Sequence, residues 1–187
     1  MSIKIYIDQG HNPVNPNAGA EGNGLREQDL VYTIGQRLAD RLRADPNYEV
    51  RLSRPTRQTQ LGTSNATSLA ARVNEANRWG ADYFISLHTN AASNSSASGA
   101  EAYAYARGTP AFAFAEDILT NLTNVTGLRD RGVQPRPGLY VLRKTQMPAT
   151  LVGLGFITNP GDVALMRDAP DLFAEGIYRG IKEYTGV

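Results

Sequence analysis

The sequence predicts a single α/β domain with a central twisted sheet, mostly parallel or mixed, and helices on both faces. Short apolar runs with strand patterning alternate with segments whose apolar residues recur every three or four positions, and no linker or internal repeat divides residues 1–187. A third observation locates function. Two predicted strands end in the only two histidines, His11 and His88, and ligands of open α/β sheets gather outside the carboxyl ends of strands.

A chain of 187 residues buries a full core without staples, and the absence of cysteine excludes disulfides and thiolate metal sites. Nineteen basic and eighteen acidic residues are interspersed, with net charge +1 and a pI near 8.0, so nothing asks for nucleic acid. No stretch approaches a membrane span, and the chain as given enters strand pattern by Ile3 with no export signal.

Ile3, Ile5 and Ile7 alternate on one strand face, and Gly10 just beyond them lets the backbone turn so that His11 projects past the sheet edge. Residues 12–23 have loop composition and form part of the rim. From Glu27 the pattern turns helical, through Leu30, Val31, Ile34, Leu38 and Leu42, until Asp45-Pro46-Asn47 stops it. Glu49 to Ser53 reads as a short strand. Ser68 is the expected N-cap of a helix carrying Leu69, Val73 and Ala76 to Trp79, closed by Gly80.

The strand Tyr83 to His88 leads into residues 89–99, a small polar segment expected to be a mobile surface loop. Glu101 to Tyr105 is a strand, and Thr109-Pro110 opens a helix to about Thr126 with Phe112, Ala115, Ile118, Leu119 and Leu122 inward. Arg129-Asp130-Arg131-Gly132 reads as a charged turn. Leu139 to Leu142, ending in Arg143, and Thr150 to Leu154 read as two short strands; Pro160 starts a short helix, and Asp171 to Tyr184 is the closing one.

A catalytic zinc takes three protein ligands and keeps a fourth position for water, and imidazole with carboxylate suits it. His11 and His88 supply two ligands, and Glu27, in a first helical turn after the strand bearing His11, can reach back over the same edge. Each has an ordinary reading: a histidine at a strand end is usually a satisfied surface or core group, and a first-turn glutamate meets the helix dipole. The Gly22-x-Gly24 turn lacks the further residues of a nucleotide loop, and no Gly-x-Ser-x-Gly elbow signals a serine hydrolase.

Seven motifs in order decide between these readings. They are Ile7-Asp8-Gln9-Gly10-His11-Asn12, Gly24-Leu25-Arg26-Glu27, Arg51-Leu52-Ser53-Arg54, residues 69–77, residues 81–91 with Ser86-Leu87-His88, Gly99-Ala100-Glu101-Ala102-Tyr103, and residues 141–159 with Gly155-Phe156-Ile157-Thr158-Asn159. Together they resemble the zinc-dependent N-acetylmuramoyl-L-alanine amidases of the Amidase_3 type. The resemblance implies a Zn²⁺ held by His11, Glu27 and His88, and hydrolysis of the amide joining N-acetylmuramic acid to the L-alanine of the peptidoglycan stem. It also implies a peptidoglycan or muropeptide substrate and an extracellular, periplasmic or wall-associated setting; the chain is expected to be a monomer.

One position departs from the family. Its general acid–base Glu lies two residues before the Gly-Phe of the last motif, where Leu151-Val152-Gly153-Leu154-Gly155-Phe156 carries Gly153. Gly153 cannot move a proton, so the chain is expected to bind metal and substrate but turn over slowly or not at all. Glu101 is the one candidate substitute base, and Asn90 and Arg143 are candidate substrate contacts. The rival functions are a non-catalytic peptidoglycan-binding or regulatory domain and a zinc carboxypeptidase.

Overall fold

A computed structural model describes residues 1–187. The chain runs β1 (Ile3–Gln9), a small hairpin of β2 (Glu21–Gly22) and β3 (Leu25–Arg26), α1 (Glu27–Arg43), β4 (Tyr48–Leu52), α2 (Asn65–Trp79) and β5 (Tyr83–Asn90). It continues through β6 (Ala100–Ala104), α3 (Pro110–Thr126), β7 (Asp130–Pro135), α4 (Tyr140–Arg143), β8 (Ala149–Phe156), α5 (Pro160–Asp168) and α6 (Pro170–Thr185). The main sheet has six strands in the order β4-β1-β5-β8-β6-β7. Strands β4, β1, β5 and β8 are parallel, and β6 with β7 runs the other way. The mixed sheet flanked by helices matches the expected class.

Side-chain alternation divides the core between the two sheet faces. Ile5, Ile7, Ile85, Leu87, Val152 and Leu154 face a large layer with Val31, Ile34, Leu38, Phe114, Ile118, Phe173 and Ile177 from α1, α3 and α6. Tyr6 and Phe84 face the other way, with Val73 and Ala76 of α2 and Val141 and Leu142 of α4. That smaller layer covers the start of β5 and β8. Their carboxyl ends, on the same face, are where His88 and Gly153 pair in register.

Four local expectations are corrected. Ser64, not Ser68, caps α2: its Oγ accepts the Thr67 N–H at 3.1 Å while Thr67 Oγ1 accepts the Ser64 N–H at 2.9 Å. The reciprocal box needs a partner three residues on, which Thr67 supplies for Ser64 and Ala71 cannot for Ser68. Ser64→Ala should therefore lower stability by about 1 kcal/mol, read by denaturant unfolding, and Ser68→Ala should show no loss of this capping kind. The charged turn is instead the opening of β7, an edge strand paired only with β6, where charged side chains face solvent.

The run Leu139 to Leu142 forms α4 rather than a strand, because an apolar run this short fits either conformation and here packs as one helical turn against α2 and β8. The expected loop at 89–99 is shortened, since β5 continues to Asn90, and its far end is anchored. Buried Asp162 accepts the Ser98 hydroxyl at 2.6 Å and the N–H groups of Gly99 and Phe156 at 3.0 and 2.9 Å.

Candidate metal centre

Three segments bring His11, Glu27 and His88 together at the carboxyl ends of β1 and β5. One donor atom from each lies within 4.8 Å of the others. His11 Nε2 is 3.0 Å from Glu27 Oε1, and His88 Nδ1 is 3.6 Å from Glu27 Oε2. The imidazoles meet edge to face, centroids 5.0 Å apart. Glu27 opens α1 and is 3% exposed, and its carboxylate also accepts the Ala20 N–H at 3.0 Å and the Thr89 N–H at 2.7 Å.

The turn into the site differs from the sequence expectation in one detail. His11 itself takes the left-handed conformation, with φ 68°. Gly10 is required for close approach instead: a Cβ there would stand 2.6 Å from both His88 Cε1 and the Leu87 carbonyl oxygen. Gly10→Ala should displace the His88 ring, costing roughly 1–3 kcal/mol of stability and disturbing the candidate metal site, which thermal melts with and without added metal will show.

Burial opposes charge on both sides of the His11–Glu27 pair, and their contact overrides it. Burial pulls against the Glu27 anion, but its hydrogen bonds and proximity to the two histidines hold the carboxyl well below the usual carboxylate range. Burial likewise pulls His11 down, yet its bond to Glu27 and the charge of that group leave it raised. One carboxylate facing two ring nitrogens without sulfur is the donor set of a catalytic zinc with an open fourth position, so these residues fit that metal.

Gly153 lies beside His88 in the parallel register and beside Glu101 in the antiparallel one, so the three form a row across β5, β8 and β6. Its backbone is not left-handed; the limit is space. A Cβ at 153 would fall 2.6 Å from Asn90 Nδ2, which is buried and has no hydrogen-bond partner. Glu101 Oε1 accepts the Tyr103 hydroxyl at 2.6 Å, and its Oε2 is 3.6 Å from Arg131 Nε. Burial and that bond to Glu101 push Tyr103 up to about 12, so the phenol keeps its proton and Glu101 is the acceptor.

Arg143 falls elsewhere. It ends α4 rather than a strand and lines a cleft with Met147, Pro148 and Ala149. Ala149 pairs with Phe84, four residues before His88 and about 13 Å away along the strand. The structure thus puts Arg143 at the opposite end of the sheet from the cluster.

Sequence reasoning missed the residues beneath the site. Asp8 and Ser86 are fully buried polar groups in otherwise apolar strands, and Ser68 and Arg72 are buried on one face of α2. Polar residues at core-facing positions of those runs were the available signal.

A mixed α/β sheet with a His–Glu–His cluster at the ends of its parallel strands defines a class of α/β domains with a candidate metal centre. Residues 5–183 match Amidase_3, described as N-acetylmuramoyl-L-alanine amidase, and the chain belongs to that family. It is 36% identical over 180 residues to N-acetylmuramoyl-L-alanine amidase CwlM of Bacillus licheniformis, covering 95% of this chain and 65% of that protein. It is also 36% identical over 186 residues to LytC of Bacillus subtilis (strain 168), covering 96% of this chain and 35% of that one. The chain spans about two thirds of the first relative and about a third of the second. Among solved structures, the catalytic domain of CwlV from Bacillus (Paenibacillus) polymyxa var. colistinus superposes with a TM-score of 0.87 at 30% identity, covering 99% of both chains. The N-acetylmuramoyl-L-alanine amidase of Clostridium difficile 630 gives 0.89 at 29% identity, covering 99% of this chain and 97% of that one.

Proposed function

We propose that this chain is a zinc-dependent amidase domain that hydrolyses the bond between N-acetylmuramic acid and the first L-alanine of the peptidoglycan stem. The observation that carries this reading is the convergence of His11 Nε2, a Glu27 oxygen and His88 Nδ1 from three separate segments of an Amidase_3 chain. These residues would hold Zn²⁺. A Zn²⁺ held there would supply Lewis-acid polarisation of the scissile carbonyl and would lower the pKa of water at the open position to about 7. The relatives named as N-acetylmuramoyl-L-alanine amidases, whose substrate bond belongs to peptidoglycan, support an extracellular, periplasmic or wall-associated setting.

Proton transfer is where this chain departs from its family. The attacking water loses a proton and the leaving amine gains one, and Gly153 has no group for either task. Glu101, across Gly153 from His88, is the carboxylate on the same row, but Tyr103 and Arg131 already engage both of its oxygens. We assign it a substitute role secondary to the vacancy at 153, and turnover is accordingly low. Asn90, half-buried with its amide over Gly153, is the substrate contact this reading retains. Arg143, at the other sheet end, is not.

The test incubates purified sacculi with the zinc-loaded chain and counts new L-alanine amino termini. Slow release above a metal-free control is expected. No release, together with retained binding to sacculi, would favour the non-catalytic wall-binding reading that Gly153 itself suggests. Release of carboxyl-terminal residues from free peptides would favour a carboxypeptidase.

A further inference from the structure

Under the metal centre lies a buried chain of polar groups that the hydrolysis does not use. Asp8 and Ser86 are register partners on β1 and β5, both essentially inaccessible. The Ser86 hydroxyl donates to Asp8 Oδ2 at 2.7 Å, and its oxygen stands 2.9 Å from His88 Nε2. Arg72, 1% exposed on α2, donates through Nη1 to Asp8 Oδ1 and the Gln9 carbonyl, both at 2.7 Å. Its Nη2 donates to the His11 carbonyl at 2.7 Å and Asn12 Oδ1 at 3.2 Å. One guanidinium therefore ties down the backbone beneath one histidine and the carboxylate behind the other.

The direction of these bonds fixes a proton. Asp8, paired with Arg72, is an acceptor, so the single Ser86 proton points at Asp8 and the Ser86 oxygen is left to accept. His88 Nε2 must then be the N–H that donates to it, which leaves the Nδ1 lone pair facing Glu27. On the other ring, Asn17 Oδ1 lies 3.2 Å from His11 Nδ1, and Asn17 Nδ2 donates at 3.1 Å to Ser68 Oγ, one turn before Arg72 on α2.

We propose that Arg72, Asp8 and Ser86 are positioning residues that lock His88 in the Nε2–H tautomer, so that His88 presents Nδ1 and His11 presents Nε2 to the metal, with the polar face of α2 acting as the common support. The proposal rests on the zinc reading of the cluster. Partners of this kind contribute about 10–100-fold to metal affinity, because they hold the ring and its lone pair aimed before the metal arrives.

Ser86→Ala is the discriminating variant, since it deletes one buried oxygen and leaves the Asp8–Arg72 pair in place. Zinc affinity, measured by competition with a chromogenic chelator, should fall about 10–100-fold. Nitrogen-15 NMR of the metal-free protein should show His88 leaving a single Nε2–H form for a tautomer mixture, with His11 unchanged. Ser86→Thr should restore both readouts, and Arg72→Lys, which keeps the charge but loses the fork, should shift the His88 signals in the same direction as Ser86→Ala. Wild-type zinc affinity and an unchanged His88 tautomer in Ser86→Ala would overturn the inference while leaving the zinc reading intact. A wild-type chain that takes no zinc would instead remove the zinc reading, and the tautomer measurement alone would then decide whether the relay holds the ring.

Discussion

Gly153→Glu should raise the rate of L-alanine amino-terminus release from sacculi by about 10²–10⁴-fold, the usual contribution of a positioned general acid–base group. The backbone at 153 suits any residue, and the register places the new side chain beside His88 on the same sheet face. The obstacle is Asn90, whose amide occupies the space of the added Cβ at 2.6 Å. That amide is the free end of a side chain and has no partner to lose, so it can swing aside. Once moved, its unsatisfied Nδ2 can donate to the new carboxylate. Asn90→Ala in the Gly153→Glu background should therefore tolerate the glutamate sterically but hold it less well, giving a smaller gain. Equal rates for the parent chain and Gly153→Glu, with Glu101→Gln abolishing both, would shift the base to Glu101 and refute the vacancy argument.

The second large effect is expected at Glu27. Zinc at a hundredfold excess over its dissociation constant stabilises a folded chain by about 2.7 kcal/mol. For a domain of this size that is roughly 5–10 °C in melting temperature. Glu27→Gln should abolish this zinc-induced rise, because it removes the only anionic member of the proposed ligand set. The metal-free protein carries its own signature. His11 is raised above its ordinary 6.5, so its contribution is complete below about pH 6.5 and fades as pH climbs through the raised value. Glu27 is depressed below its ordinary 4.5, so its contribution is complete above about pH 4.5 and fades as pH falls toward the depressed value. The His11–Glu27 contact thus favours the metal-free fold most between about pH 4.5 and 6.5. Zinc needs neutral imidazoles, so the stabilisation it adds should grow above that window. Melting curves across pH, with and without zinc, read both trends, and a zinc-induced rise surviving in Glu27→Gln would refute the assigned ligand set.

The sequence by itself determined the alternation of strands and helices, the arrival of both histidines at strand ends, Glu27 in the first turn of α1, and the empty side chain at 153. Each depends on periodicity or on chemistry confined to a few neighbouring residues, and such information survives without knowledge of the rest of the chain. Family resemblance then joined His11, Glu27 and His88 into one site, which spacing alone left open against their ordinary readings. Tertiary structure decided the rest: the order β4-β1-β5-β8-β6-β7, the strand made from a charged segment, and Arg143 at the far end of the sheet. It also decided that Asn90 fills the space over Gly153 and that Arg72 reaches Asp8 across 64 positions of chain. Strand order and register follow from which faces must be buried together, a requirement of the whole molecule. A buried arginine and its carboxylate are stable only where packing brings them into contact, so no local pattern announces the pair.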